Sequence, residues 1–457
     1  MNVHFIAIGG SIMHNLAISL RRSGHNVTGS DDEIFEPALT LLKNENLMPA
    51  SIGWNPDSIN EDLDAVILGM HAKKDNPELL RAQELGLKIF SFPAFVGQQI
   101  QDKTRVVIGG SHGKTTITGM IMHVLRVNNL NFDYLIGSRI EGFDLTVKIT
   151  NDAPIVVIEG DEYLSSAIER IPKFHLYRPH IALLTGIAWD HINVFPTFDN
   201  YVAQFATFVD TIVTKGKLIY NLEDTLLRQI ALQSDASIVK IPYSTPNYIV
   251  RDNRTYILQD GKERKLEVFG KHNLQNLEGA RNVCAQLGIS DDDFFAAIQT
   301  FKGAAKRLEK VAEGSSTVVY KDFAHSPSKL TATTAALKEQ YPARKLVAVM
   351  ELHTYSSLNK DFLSEYKGSM KEADVPIVFF NSHALSIKGL PPISANDVKG
   401  EFDQNNIQVF TEGSDLKEYL SKQNWQETNL LMMSSGNFDG LDLNELASEI
   451  TSATKLS

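Results

Sequence analysis

The chain has 457 residues, too many for one ordinary core and the right length for three domains of ~150 residues each. Its 43% hydrophobic and 22% charged content is that of a globular protein and excludes a disordered or fibrous one. A formal net charge of −11 argues against a nucleic-acid backbone as partner, because neutralising phosphates requires a clustered basic face.

The stretch Met1 to Gly10 has no basic segment followed by a long apolar run, and no part of the chain has ~18 uninterrupted apolar residues. Cys284 is the single cysteine, which excludes an internal disulfide and suits a reducing compartment; its neighbourhood reads as a helix, so a small buried residue is expected rather than a reactive thiol. A cytoplasmic location is expected. The opening run Val3 to Gly10 is short, apolar and ends in glycines. A helical pattern from Met13 to Arg22 and a second run from Val27 to Asp31 follow, the start of a βαβ unit. Apolar runs at Ala65 to Met70 and Leu87 to Phe92 extend the same parallel sheet, giving a first domain over residues 1–98.

A fresh strand at Arg105 to Ile108 then runs into Gly110-Ser111-His112-Gly113-Lys114-Thr115-Thr116 and a helix from Lys114 to about Val127. Glycines let the backbone curl so that several N–H groups and the helix N-terminus point at a phosphate, Lys114 adds a positive charge, and Thr115 offers a hydroxyl to Mg²⁺. A nucleoside triphosphate is implied. A simple glycine turn capping the helix is the alternative, and it leaves the Gly-Lys-Thr-Thr core without a purpose. Gly110 stands only three residues before Gly113, so a generic GTPase or transport ATPase fits poorly. A second cluster, Glu159-Gly160-Asp161-Glu162, lies where the strand Ile155 to Ile158 ends, the edge at which α/β sheets present ligand-binding groups. Carboxylates there can hold Mg²⁺ against phosphates, or form a solvated acidic turn. Asp190-His191 follows the strand Ile181 to Thr185 and could add a metal or phosphate contact, although an isolated pair of this kind is more often structural.

Short runs between Val239 and Phe269 predict a small antiparallel insert. Gly270-Lys271-His272-Asn273-Leu274-Gln275-Asn276 opens a helical run whose amides and imidazole could read and stack on an adenine, or equally cap the helix. The central α/β domain is placed at 99–303. Alternation of strand and helix resumes with strands at Val318 to Tyr320, Leu346 to Met350, Ile377 to Phe380 and Leu430 to Met433, a third domain over 304–457. Tyr320 to Pro327, with Arg307 upstream, is suited to close on a nucleotide.

Taken together, GSD at 29–31, GSHGKTT, EGDE, WDH at 189–191, GKHNLQN, KRLE at 306–309 and KDFAHSP at 321–327 occur in the order and at roughly the spacing of the Mur ligases, and the resemblance covers nearly the whole chain. Within that family, the runs at 160–179 and 189–195 resemble the branch that attaches L-Ala-γ-D-Glu-meso-diaminopimelate to UDP-N-acetylmuramate more than the branch that attaches L-alanine. The resemblance implies an α/β fold of three domains: a Rossmann-like N-terminal domain for the UDP sugar, a central P-loop ATPase domain, and a C-terminal Rossmann-like domain that closes on ATP and the incoming amine. It implies ATP and Mg²⁺ as cofactors and UDP-N-acetylmuramate with a peptide or amino acid as substrates. On this analogy Lys114 and Thr115 bind the phosphates and Mg²⁺, and Glu159 and His191 complete the metal sites. His272, Asn273 and Asn276 face the adenine, Arg307, Asp322 and His325 act from the C-terminal domain, and Gly9, Gly10, Ser11 and Asp31 line the uridine diphosphate site.

Several positions depart from the family pattern. Ala7 and Ile12 weaken the glycine pattern of the first loop, Gly186 stands where relatives carry asparagine, Ser326 replaces the second histidine of AHHP, and His353 sits where arginine is common. No lysine follows WDH at the position that relatives carbamylate, so no metal-bridging carbamate is expected. Two readings from other classes remain: a nicotinamide-dependent oxidoreductase on the first βαβ unit, which leaves GSHGKTT unexplained, and a non-catalytic nucleotide-binding protein, motivated by Gly186 and Ser326.

Overall fold

A computed structural model describes residues 1–70, 72–166, 168–189, 194–303, 307–404 and 406–453. Packing divides the chain into two compact units. The first holds Met1–Trp189, Val194–Ser244 and Leu277–Ile298, and the second Thr245–Asn276 and Gln299–Ser457, so far as these are described.

In the first unit, strands β1 (Asn2–Ile6), β2 (Asn26–Ser30), β3 (Ala65–Leu68) and β4 (Ile89–Ser91) form a parallel sheet in the order β2-β1-β3-β4. All four residues of β3 are buried, as expected where helices cover both faces of a parallel sheet. The crossover helix Ser11–Arg22 buries Met13, Leu16, Ala17 and Leu20, the 3–4 spacing that defines one helical face. Strand order reverses at β1, so the glycine turn after it lies at the switch point where such sheets bind ligands.

Strands β5 (Thr104–Gly109), β6 (Phe132–Leu135), β7 (Val147–Lys148), β8 (Ile155–Glu159), β9 (Ile181–Leu184), β10 (Lys217–Asn221) and β11 (Val239–Tyr243) form the second sheet, in the order β11-β10-β9-β5-β8-β6-β7. Only β7 runs antiparallel to its neighbour. Register pairs Ile108 with Glu159 and Gly109 with Leu184. The loops that leave β5, β8 and β9 therefore emerge side by side. One expectation is corrected here: β11, read as the start of the antiparallel insert, is the edge of this sheet and pairs in parallel with β10, because its Val-Lys-Ile-Pro-Tyr run matches Lys217–Asn221 residue for residue.

The insert itself comprises β12 (Tyr248–Arg251), β13 (Arg254–Gln259) and β14 (Lys262–Leu266), an antiparallel sheet in the second unit. Its two-residue turns, Asp252-Asn253 and Asp260-Gly261, have positive φ at both positions, which suits the right-handed twist of a hairpin and is tolerated best by Asn, Asp and Gly. The insert is tied to the helix Pro327–Gln340: Tyr248 Oη donates to Glu339 Oε1 at 2.7 Å and Thr255 Oγ1 to Gln340 Oε1 at 2.8 Å.

The last sheet contains β15 (Glu309–Glu313), β16 (Val318–Asp322), β17 (Lys345–Glu351), β18 (Val375–Phe379), β19 (Gln408–Phe410) and β20 (Thr428–Met433), in the order β15-β16-β20-β17-β18-β19, parallel except for β15. The four inner strands match the apolar runs of the sequence. The two edge strands, one charged and one of three residues, carry no such run. Among the described residues no helix is long and apolar enough to cross a membrane. Cys284 is buried in the helix Lys271–Gln286, and burial pushes its thiol up.

Candidate active site

The turn after β5 depends on two glycines. Gly110 adopts φ +123°, and a Cβ there would sit 2.0 Å from Thr185 Oγ1; Gly113 adopts φ +77° directly before the helix Lys114–Val127. Both conformations belong to glycine, and they turn the first amides of that helix toward the loop. Ser111 N donates to Gly186 O at 2.9 Å, and Thr185 Oγ1 donates to His112 O at 2.5 Å, so the loop after β9 braces the loop after β5. Thr116 is buried in the first helical turn.

Lys114 Nζ donates to Gly110 O and to Glu162 Oε2, both at 2.6 Å. Burial opposes its charge, but the carboxylates of Glu162, Asp161 and Glu159 outweigh it and raise the ammonium above its ordinary value. Thr115 Oγ1 donates to Glu159 Oε1 at 2.7 Å, and Gly137 N donates to Glu159 Oε2 at 2.7 Å. A hydroxyl and a carboxylate oxygen side by side are the hard donors that Mg²⁺ prefers, with phosphate and water free to complete an octahedron. Of the acidic motif, Asp161 instead accepts from Lys173 Nζ at 2.5 Å. His191, assigned to the metal from the sequence, and Asp190 lie outside the described residues. Among the described residues no group of three or more His, Cys, Asp and Glu could hold a metal ion.

At the end of β1, Gly9 N donates to Asp31 Oδ2 at 2.7 Å, and a Cβ on Gly9 would approach that oxygen to 2.9 Å. Burial raises the Asp31 carboxyl above its ordinary value, against the lowering effect of the Gly9 and Glu33 amides. Gly10 precedes the adjoining helix and Ser11 opens it, exposed.

The remaining sequence-derived residues lie in the second unit. Gly270 (φ +84°) approaches Ala336 so closely that a Cβ would sit 2.3 Å from that residue's own. His272 follows, its imidazole pushed down to about 4 by burial and so neutral. Asn273 Nδ2 donates to Phe269 O at 3.0 Å, and Asn276 Nδ2 lies 3.5 Å from Asn273 Oδ1, so one side of each amide is already engaged within the helix start. At the end of β16, Asp322 accepts from Leu308 N at 2.6 Å and Ala324 N at 2.7 Å; burial raises its carboxyl while the Arg307 charge opposes the rise. The Arg307 guanidinium stacks 4.9 Å from the Phe323 ring centroid, and His325 meets the same ring edge-on at 5.1 Å. Arg307, Asp322 and His325 thus form one cluster around Phe323. Glu351, at the end of β17, accepts from Phe438 N at 2.9 Å and from Ser434 Oγ, with His353 Nδ1 at 3.6 Å; burial opposes its charge, and these partners hold it below the ordinary carboxylate value.

The sequence reading names Glu162 without its role and misses Tyr201. Glu162 is buried and serves as the counter-charge of Lys114, which the bare acidic motif does not reveal. Tyr201, in the helix Phe198–Asp210, reaches Glu162 Oε1 with its hydroxyl at 2.9 Å. It falls at the 3–4 spacing of Phe205 and Phe208 and reads as one more core aromatic; only the hydroxyl could have signalled it.

A glycine turn from strand to helix, a lysine charged inside it and a Thr–Glu oxygen pair beside it define a nucleoside-triphosphate-binding α/β protein. The chain belongs to the Mur ligase family, ATP-dependent ligases that form carbon–nitrogen bonds in peptidoglycan synthesis. Three family descriptions match in order: Mur ligase family, catalytic domain at residues 2–104; Mur ligase middle domain at 108–284; and Mur ligase, glutamate ligase domain at 306–436. The UDP-N-acetylmuramate–L-alanine ligase of Caldicellulosiruptor bescii is 33% identical over 387 residues, 82% of each chain. The UDP-N-acetylmuramate–L-alanyl-γ-D-glutamyl-meso-2,6-diaminoheptandioate ligase of Haemophilus influenzae is 28% identical over 368 residues, 77% of this chain and 79% of that one. In fold, the chain is similar to a murein peptide ligase of Psychrobacter arcticus, with a TM-score of 0.66, 23% identity and 99% of both chains covered. The chain is therefore a ligase, and the oxidoreductase reading falls.

Proposed function

We propose that the protein joins L-alanine to the lactyl carboxylate of UDP-N-acetylmuramate in the cytoplasm, with ATP and Mg²⁺. The observation that carries this reading is the 33% identity to an L-alanine ligase over 82% of both chains. It reverses the order drawn from local runs, which put the tripeptide first. The tripeptide ligase stays as a second reading because residues 160–179 resemble that branch and a relative of that activity is 28% identical.

The carboxylate oxygen attacks the γ-phosphorus of ATP and the bond to the β-phosphate oxygen breaks, leaving ADP and an acyl phosphate. The amine nitrogen then attacks the acyl carbon, inorganic phosphate departs with the C–O electron pair, and the nitrogen loses a proton. Lys114 and the loop amides that are not already spent on Gly186 neutralise and orient the phosphates, which is the greater part of catalysis in phosphoryl transfer. Thr115 and Glu159 are the oxygen ligands that would hold Mg²⁺, which supplies charge neutralisation at the phosphates. Gly9, Gly10, Ser11 and Asp31 are assigned to the UDP sugar. In the second unit, His272, Asn273 and Asn276 are assigned to the adenine and Arg307, Asp322 and His325 to the reaction.

ADP release with UDP-N-acetylmuramate and a panel of amines tests the proposal. The expected result is a higher kcat/KM for L-alanine than for L-Ala-γ-D-Glu-meso-diaminopimelate. The reverse order would replace the amine assignment, and no ADP with any amine would refute catalysis.

A further inference from the structure

Lys114 does not stand alone in its loop. Its ammonium meets Glu162 Oε2 at 2.6 Å, and the other oxygen of that buried carboxylate accepts from Tyr201 Oη at 2.9 Å. The Tyr201 hydroxyl also lies 2.8 Å from Ser111 Oγ, and Ser111 Oγ accepts from Ala188 N at 2.9 Å. Proton bookkeeping fixes the direction. Tyr201 has one proton and gives it to Glu162, so at Ser111 its oxygen accepts; Ser111 accepts from Ala188 and therefore donates to Tyr201. Donation thus runs one way, from Ala188 N through Ser111 Oγ and Tyr201 Oη to Glu162 Oε1, while Lys114 closes the other oxygen. Such a chain polarises each member and holds the carboxylate by both of its oxygens.

We propose that Tyr201 is a positioning residue for nucleotide binding: its hydroxyl locks Glu162, and through it Lys114, while pinning the phosphate loop at Ser111. This deepens the nucleotide-site reading above and rests on it. Four separate segments meet here: the loop after β5, the acidic turn after β8, the loop after β9, and the helix Phe198–Asp210. Tyr201 is fully buried, and its ring packs edge-on against Phe195 at 5.5 Å and Phe205 at 5.2 Å. Phenylalanine keeps those contacts and removes only the hydroxyl.

The test uses the full chain and equilibrium binding of a non-hydrolysable ATP analogue with Mg²⁺, which is independent of the amine. Tyr201→Phe is expected to weaken binding about tenfold, the size of losing one hydrogen bond to a charged group, while UDP-N-acetylmuramate affinity changes less than about twofold, because that ligand does not depend on this hydrogen bond. In a Glu162→Gln background the same substitution is expected to add little, because its effect passes through that carboxylate. An unchanged analogue affinity in Tyr201→Phe overturns the proposal, and so does full additivity of the two substitutions or equal weakening of both ligands. If the wild-type protein itself bound no ATP analogue, the nucleotide-site reading would fail instead.

Discussion

Replacing Lys114 by alanine separates two roles, one in the proposed phosphate binding and one in stability. If Lys114 contacts the phosphates as proposed, the substitution costs roughly 10²-fold or more in turnover. Stability is affected too. The Lys114 side chain is 14% exposed and that of Glu162 only 1%, so the substitution removes the cation paired with a buried carboxylate. Breaking one side of a buried pair costs about 3–5 kcal/mol, and the lower end applies because Tyr201 still serves one oxygen. At about 2–4 °C per kcal/mol for a unit of 150–250 residues, the first unit should melt about 6–12 °C lower. Adding Glu162→Gln removes the carboxylate charge, so the double variant is expected to recover most of the melting temperature and none of the activity. Scanning calorimetry and ADP release on the same preparations check both. A Lys114→Ala protein that melts with the wild type, or a double variant no more stable than the single, would refute the buried-pair argument; near-normal turnover would refute the loop assignment.

Gly110→Ala should abolish analogue binding more completely than it lowers stability, since its Cβ would meet Thr185 Oγ1 at 2.0 Å within the loop itself; retained binding measured by calorimetry would contradict the required φ of +123°. Glu159→Gln is expected to raise the Mg²⁺ concentration for half-maximal ADP release about tenfold or more while leaving UDP-sugar affinity alone, and activity that survives EDTA would remove the metal assignment. Glu351 carries an acid-side signature. Its folded value lies below the ordinary 4.5, so its stabilisation is present above that pH and is lost as pH falls through the lower folded value. The melting-temperature gap between wild type and Glu351→Gln should therefore narrow below pH 4.5, and a gap that stays constant or widens there would refute the lowered value.

Legibility in the sequence followed the kind of physics involved. Strands β1, β3, β5, β8, β9, β16, β17, β18 and β20 are apolar runs buried on both faces, and such runs announce themselves. The strand Val239–Tyr243 misled because a short apolar run carries no mark of parallel or antiparallel pairing; β10 supplied the partner. Likewise GSHGKTT was legible because glycine at φ +123° and +77° is a backbone demand written in residue type. The partnership of Lys114 with Glu162 rather than Glu159 depends on which of two carboxylates faces inward after β8, and Tyr201 enters only because a helix 87 residues downstream of Lys114 turns one ring edge toward that carboxylate.

The departures from the family pattern differ in how the structure accommodates them. Ala7 holds φ +68°, so the turn that the missing glycine would have eased is made regardless, at the cost of local strain. Gly186 is accommodated by its surroundings: its carbonyl accepts from Ser111 N, and a Cβ there would face Asp224 Oδ2 at 3.2 Å. Asp224 already caps the helix Thr225–Gln233 through Leu227 N at 2.9 Å and accepts from Ile187 N at 2.9 Å. An asparagine at 186 would crowd a carboxylate that holds both elements, so glycine there and aspartate at 224 form a self-consistent pair that leaves the phosphate loop braced. Ser326 is different in kind. It precedes the helix Pro327–Gln340 without capping it, and its buried hydroxyl has no hydrogen-bond partner among the described residues. Of the two departures that motivated a non-catalytic reading, Gly186 therefore leaves the phosphate loop braced, and Ser326 falls in the second unit, one residue after His325 of the cluster with Arg307 and Asp322.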